Sequence, residues 1–144
     1  MSHPALLLDP PADPWRRDGG RPDRGVLGLA LAFTVSGVVH LVRPETFEPM
    51  VPRVLPAHRG IVYVSGVAEL VCAAGLLHPR TRPAAGWASA ALLLAVYPAN
   101  LKMAGDVRRS DSTAVKAAAW ARLPLQLPPL RVALRAARAG RPAR

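Results

Sequence analysis

Five polar side chains stand inside or beside otherwise apolar stretches of this chain: His40, Glu69, Asn100, Arg122 and Gln126. Ionisable and amide groups in such surroundings are costly unless partnered, so they mark where any binding or proton chemistry would take place. An imidazole and a carboxylate exchange protons, while a guanidinium and two amides donate hydrogen bonds to a carbonyl or hydroxyl head group. Other chemistries have less support. Dithiol redox needs two cysteines that can meet, and the chain has Cys72 alone, set between Val71 and Ala73 in an apolar run where a small packing role is expected. His3, His40, His58 and His78 include no pair at i, i+3 or i, i+4, so no metal site is expected. Phosphate-loop, dinucleotide-fold and haem-attachment motifs are missing as well, and no cofactor is evident.

The elements that must position these residues follow from the distribution of charge. The chain has 144 residues, 51% hydrophobic and 5% aromatic, with a net charge of +10. That composition excludes a disordered basic tail and a disulfide scaffold. Its basic residues are almost all Arg, a bias that suggests GC-rich coding and weakens the case for nucleic acid. Residues 1–24 carry four Asp, four Arg and five Pro and are expected to be a disordered head. Formal charge then vanishes from Gly25 to Val42 and from Pro83 to Leu101, and between Gly60 and Pro79 only Glu69 remains. Gaps of 18 to 20 residues suit helices crossing about 30 Å of hydrocarbon. The Arg residues bracket these runs rather than lining a docking face, so no nucleic acid is expected as partner.

The spacing therefore predicts an all-α membrane domain over residues 25–134, with four spans near 25–42, 60–78, 83–101 and 114–134, followed by a basic tail over 135–144. The fourth span is interrupted by Lys116, Arg122 and Gln126 and distorted by Pro124, Pro128 and Pro129, and would be retained only against partners. Arg and Lys near the span ends number eleven against seven in favour of both termini in the cytoplasm. No small-residue cleavage site follows the first run, which argues against a removed signal peptide.

Counting from the outer helix ends, Glu69 and Arg122 fall at one level, about 12 to 14 Å deep. An ion pair between them is the simplest expectation, with both charges compensated. His40 and Asn100 lie nearer the outer ends, and the set would line an outward-facing polar cavity for a small amphipathic molecule. Pro98 is expected to free a backbone carbonyl for the Asn100 amide. If the site binds nothing, Asn100 would cap a helix, His40 would sit at the interface and the ion pair would hold the bundle together. Between the first two spans, Phe47, Met50, Val51, Val54 and Leu55 share one helical face, although Pro49, Pro52 and Pro56 forbid a long helix. Either an irregular cap or a short interfacial segment is expected there.

Several pieces of the chain, in order, resemble the DoxX-type bacterial membrane proteins. They are Gly37-Val-Val-His-Leu-Val-Arg-Pro-Glu-Thr-Phe47, Val51-Pro and Leu55-Pro, Tyr63-Val-Ser-Gly-Val-Ala-Glu-Leu70, Gly75-Leu-Leu, Tyr97-Pro-Ala-Asn100 and Arg122-Leu-Pro-Leu-Gln126. The resemblance, over about Gly28 to Leu130, implies a four-helix bundle in the bacterial inner membrane. It also implies association with thiosulfate:quinone oxidoreductase or thiol-redox and oxidative-stress complexes for some members, which makes quinone a possible ligand by resemblance only. The expected function is an accessory or structural inner-membrane subunit, with a quinone- or lipid-binding bundle as the alternative and an oxidoreductase the least favoured. Small-residue pairs Ala84/Ala88, Ala85/Ser89 and Ala114/Ala118 are expected to serve bundle packing. Trp87, Tyr97 and Trp120 are expected to anchor span ends, and the acid-free tail to attract anionic lipid. A membrane-protein partner is compatible with all of this.

Overall fold

The computed structural model describes residues 21–109 and 111–139. Residues 1–20 of the expected disordered head and 140–144 of the expected tail lie outside the described residues. The boundary at residue 24 moves: Arg24 is the first residue of a helix, and the Asp23 carboxylate caps it by accepting from the Val26 amide at 2.9 Å.

Among the described residues the chain is all α-helical apart from turns. Helix α1 spans Arg24–Val42, α2 His58–Leu77, α3 Arg82–Asp106, α4 Thr113–Leu125 and α5 Leu127–Arg138. The first three are long and apolar enough to cross a membrane. Their surfaces say the same: α1 turns Val26, Leu29, Phe33 and Gly37 inward, yet its outward face carries exposed Leu27, Leu31, Val35 and Val38. A helix apolar on every side belongs in a core or in lipid, and here the outward side has no protein against it. Helix α3 continues past the expected third span to Asp106, so that Asn100 and Tyr97 lie well inside the helix. Lys102 in this last stretch donates to the Asp106 carboxylate at 2.6 Å and to the Pro49 carbonyl at 2.7 Å, fastening the segment after α1 to α3.

The expected fourth span is not one regular helix. It divides at Gln126 into α4 and α5, each too short to cross alone. Pro128 and Pro129 have no N–H to offer the carbonyls that a continuous helix would pair with them, which accounts for the break. Both halves lie along α3 in the opposite direction: α4 meets its later part, and α5 packs on its start, where Ala133 and Ala137 press against Gly86. The expected tail also begins too early, because Arg135 and Arg138 belong to α5, with Ala133, Ala136 and Ala137 buried beneath them.

The turn from α2 to α3 is closed by side chains. Pro79 cannot donate to the Gly75 carbonyl, and Thr81 Oγ1 does so instead at 2.8 Å, while Arg82 Nε donates to Leu76 O at 2.9 Å. At this end of the bundle lies the core of Val26, Leu29, Phe33, Cys72, Leu76, Leu93 and Ala133. Cys72 is part of that packing and is a free thiol. Of the small-residue pairs, Ala85 and Ser89 face the interior, whereas Ala84, Ala88, Ala114 and Ala118 are exposed.

Helices α1 and α2 touch backbone to backbone. A Cβ on Gly66 would fall 2.8 Å from His40 Cβ and 2.9 Å from Gly37 O, so only glycine permits this crossing. Gly66→Ala is expected to lower stability by about 1 to 3 kcal/mol through forced separation of the helices. Gly28→Ala, with nothing within 4 Å of the added carbon, should be neutral or slightly stabilising. Thermal unfolding of the two variants in the same detergent checks the contrast.

Candidate functional site

The dense core does not extend through the molecule. Beyond Leu29, Phe33 and Leu93 the helices part around a cavity of about 640 Å³, a size ordinary for small-molecule sites. Apolar side chains of α1, α2 and α3 make most of its wall. Pro129 at the start of α5 lies at one limit, and the segment between α1 and α2 covers another. That segment is neither a helix nor a continuous stripe: it forms two 3-10 turns, Pro44–Thr46 and Glu48–Met50, each with a proline in its first positions and joined through Phe47. Phe47, Met50, Val51 and Leu55 turn toward the cavity and Val54 points away, 89% exposed.

All five polar residues singled out in the sequence, His40, Glu69, Asn100, Arg122 and Gln126, line this one cavity. Their pairing differs from expectation. Glu69 does not meet Arg122; the basic side chain beside it is His40, with Nδ1 3.7 Å from Oε2. α4 packs on α3 and α5, leaving Arg122 across the cavity from α2. Arg122 is exposed at the rim and its Nη1 donates to Met103 Sδ at 3.3 Å.

His40 is a buried residue rather than an interfacial one. Its ring stacks on Phe47 with centroids 3.7 Å apart, and its Nδ1 lies 2.8 Å from the Ser36 carbonyl. A carbonyl can only accept, so Nδ1 carries the hydrogen and spends it there. Gln126 is the residue whose role was hardest to foresee. Its Nε2 donates to the Leu93 carbonyl on α3, and its Oε1 accepts from Asn100 Nδ2 at 3.0 Å. Asn100 is thus bonded to Gln126 rather than capping a helix, and the carbonyl that Gln126 reaches is that of Leu93, one residue before the Leu94 carbonyl that Pro98 leaves without its amide.

Two further residues belong to the site. Ser36, one turn before His40, holds the ring, and Ser65, one turn before Glu69, lines the cavity with a buried hydroxyl. The signal for both was an i, i+4 relation to a polar residue already singled out. Among the described residues no cluster of three or more His, Cys, Asp or Glu could hold a metal, and Cys72 is not part of the cavity wall.

Residues 29–137 match a family model described as a domain of unknown function, DUF8561. No curated protein and no solved structure matches the chain.

Gln126→Leu removes both bonds of the bridge and leaves the Leu93 carbonyl without its side-chain donor. A loss of about 1 to 3 kcal/mol is expected. Asn100→Leu should cost less, and the double variant should cost less than the sum, because the two amides share one bond. Unfolding of the four chains in detergent gives this cycle directly, and strict additivity would exclude the bridge.

Proposed function

The chain belongs to the DUF8561 family, whose description carries no activity, and we propose that it is a membrane-embedded bundle that binds a small amphipathic molecule of the quinone or lipid class. The observation that supports this reading is the convergence of five polar residues from four helical elements on one mostly apolar cavity. An apolar body fits among Leu29, Phe33, Val62 and Val96, while a polar head meets His40, Glu69 and Arg122.

In this proposal the protein is of DoxX type and sits in the bacterial inner membrane as four spans, with α4 and α5 together making the fourth crossing. Support for the fourth crossing comes from the way the two short helices run along α3 and bond to it through Gln126. Both termini then face the cytoplasm, and the exposed Arg131, Arg135 and Arg138 of α5 lie among anionic head groups. An accessory role in a redox or oxidative-stress complex, the reading that the DoxX resemblance carries, is compatible with the binding function and would show as copurification of a fixed membrane partner.

Organic extraction of the purified chain should yield one amphiphile in near-stoichiometric amount. Ala99→Phe, which fills the cavity, is expected to reduce it about tenfold, whereas Ala91→Phe on the outward side of α3 should leave it unchanged. An extract indistinguishable between the two variants would contradict the proposal.

A further inference from the structure

One wall of the cavity is left incomplete. Glu69 is only 7% exposed, and its Oε2 is buried without a hydrogen-bond partner. The Ser65 hydroxyl, one turn earlier on the same face of α2, is likewise buried and unpartnered. Both residues line the cavity. Buried polar atoms are nearly always paired, so two orphans side by side point to a group that completes them.

The donors around it do not complete Oε2: the Ser36 hydroxyl reaches the Glu69 carboxyl, yet Oε2 stays unpartnered. The hydrogen on His40 Nδ1 is taken by the Ser36 carbonyl, and the 3.7 Å to Glu69 Oε2 is too long for a hydrogen bond. Arg122 donates to Met103 from the other side of the cavity. Oε2 therefore lacks a partner; a hydroxyl head supplies one and, unlike a head of carbonyl oxygens alone, serves the carboxyl in either protonation state.

Resting on the binding function above, we infer that the occupant is a neutral amphiphile whose head carries a hydroxyl, of the phenol, quinol or alcohol class. That hydroxyl donates its hydrogen to Glu69 Oε2, and its oxygen accepts from Ser65 Oγ. Neutrality follows from the lining: Arg122 offsets the charge of Glu69, so the cavity as a whole does not favour a cationic head.

The test is calorimetric titration of the full chain in non-ionic detergent with three probes: para-nonylphenol, its methyl ether para-nonylanisole, and decylammonium. The phenol should bind at least about tenfold more tightly than the ether, which has the same apolar body and no donor. Glu69→Met should erase that preference while leaving the affinity for the ether unchanged, a sign that the cavity is intact. Should Glu69→Met fail to fold, Ser65→Ala serves in its place and is expected to weaken the phenol about threefold to tenfold with no effect on the ether. Equal binding of phenol and ether, a preference that survives these substitutions, or tighter binding of decylammonium would overturn the hydroxyl assignment and leave the binding function standing. If none of the three binds, both are overturned.

Discussion

The arrangement depends on how a proline-broken segment is held against a second helix that also contains a proline. Continuous helices satisfy their own backbone, and in an apolar medium they have little alternative. Here α3 carries Pro98 and the fourth segment carries Pro124, Pro128 and Pro129, so backbone groups near the break need partners from outside. Gln126, at the break itself, ties the two halves to α3 by donating to the Leu93 carbonyl, and Asn100 holds the amide in the orientation that makes this possible. An Ala at position 126 would pack without cost in a regular helix. In this place it would leave α4 and α5 without their polar attachment to α3.

That attachment explains why the molecule is solid at one end and hollow at the other. On the α5 side of the bridge, Ala133 and Ala137 approach the α3 backbone at Gly86, and the interior fills with Leu29, Leu76, Leu93 and Cys72. On the α4 side the fourth segment brings Arg122 to the rim but no large side chain to the centre. The opposite wall is fixed by the Gly37–Gly66 crossing, which sets His40 beside Glu69. Two rigid contacts therefore face each other across the cavity, and the polar groups between them are positioned by helices rather than by loops. Lys102 adds a tie that keeps the covering segment over the opening.

Much of this was legible in the sequence for a simple reason. Long stretches without charge can be recognised without knowing how helices pack, and so can His40, Glu69, Asn100, Arg122 and Gln126, which stand out against them. Their convergence on one cavity followed from depth along the helices. Their partners did not, because partner choice depends on which faces meet. Glu69 and Arg122 were expected at one level but belong to elements that do not pack along each other, whereas the crossing that brings Glu69 to His40 rests on two glycines in a chain that has eleven. The break at Gln126 was signalled by three prolines, yet the way both halves are held along α3 depended on which faces meet. Phe47 was assigned to an apolar stripe, and only the folding of the 3-10 turns shows that it covers His40.

The central claim is that the space between the α1–α2 pair and the α3–α4 pair belongs to a specific small amphiphile and is not merely filled by bulk lipid. Its most direct test is photocrosslinking in native membranes, with p-benzoylphenylalanine placed at Ala99 on the cavity wall and, separately, at Ala91 on the outward face. The account predicts that position 99 yields a discrete adduct of one small-molecule mass, while position 91 yields the mixture of phospholipids in that membrane. The same phospholipid mixture at both positions would contradict it.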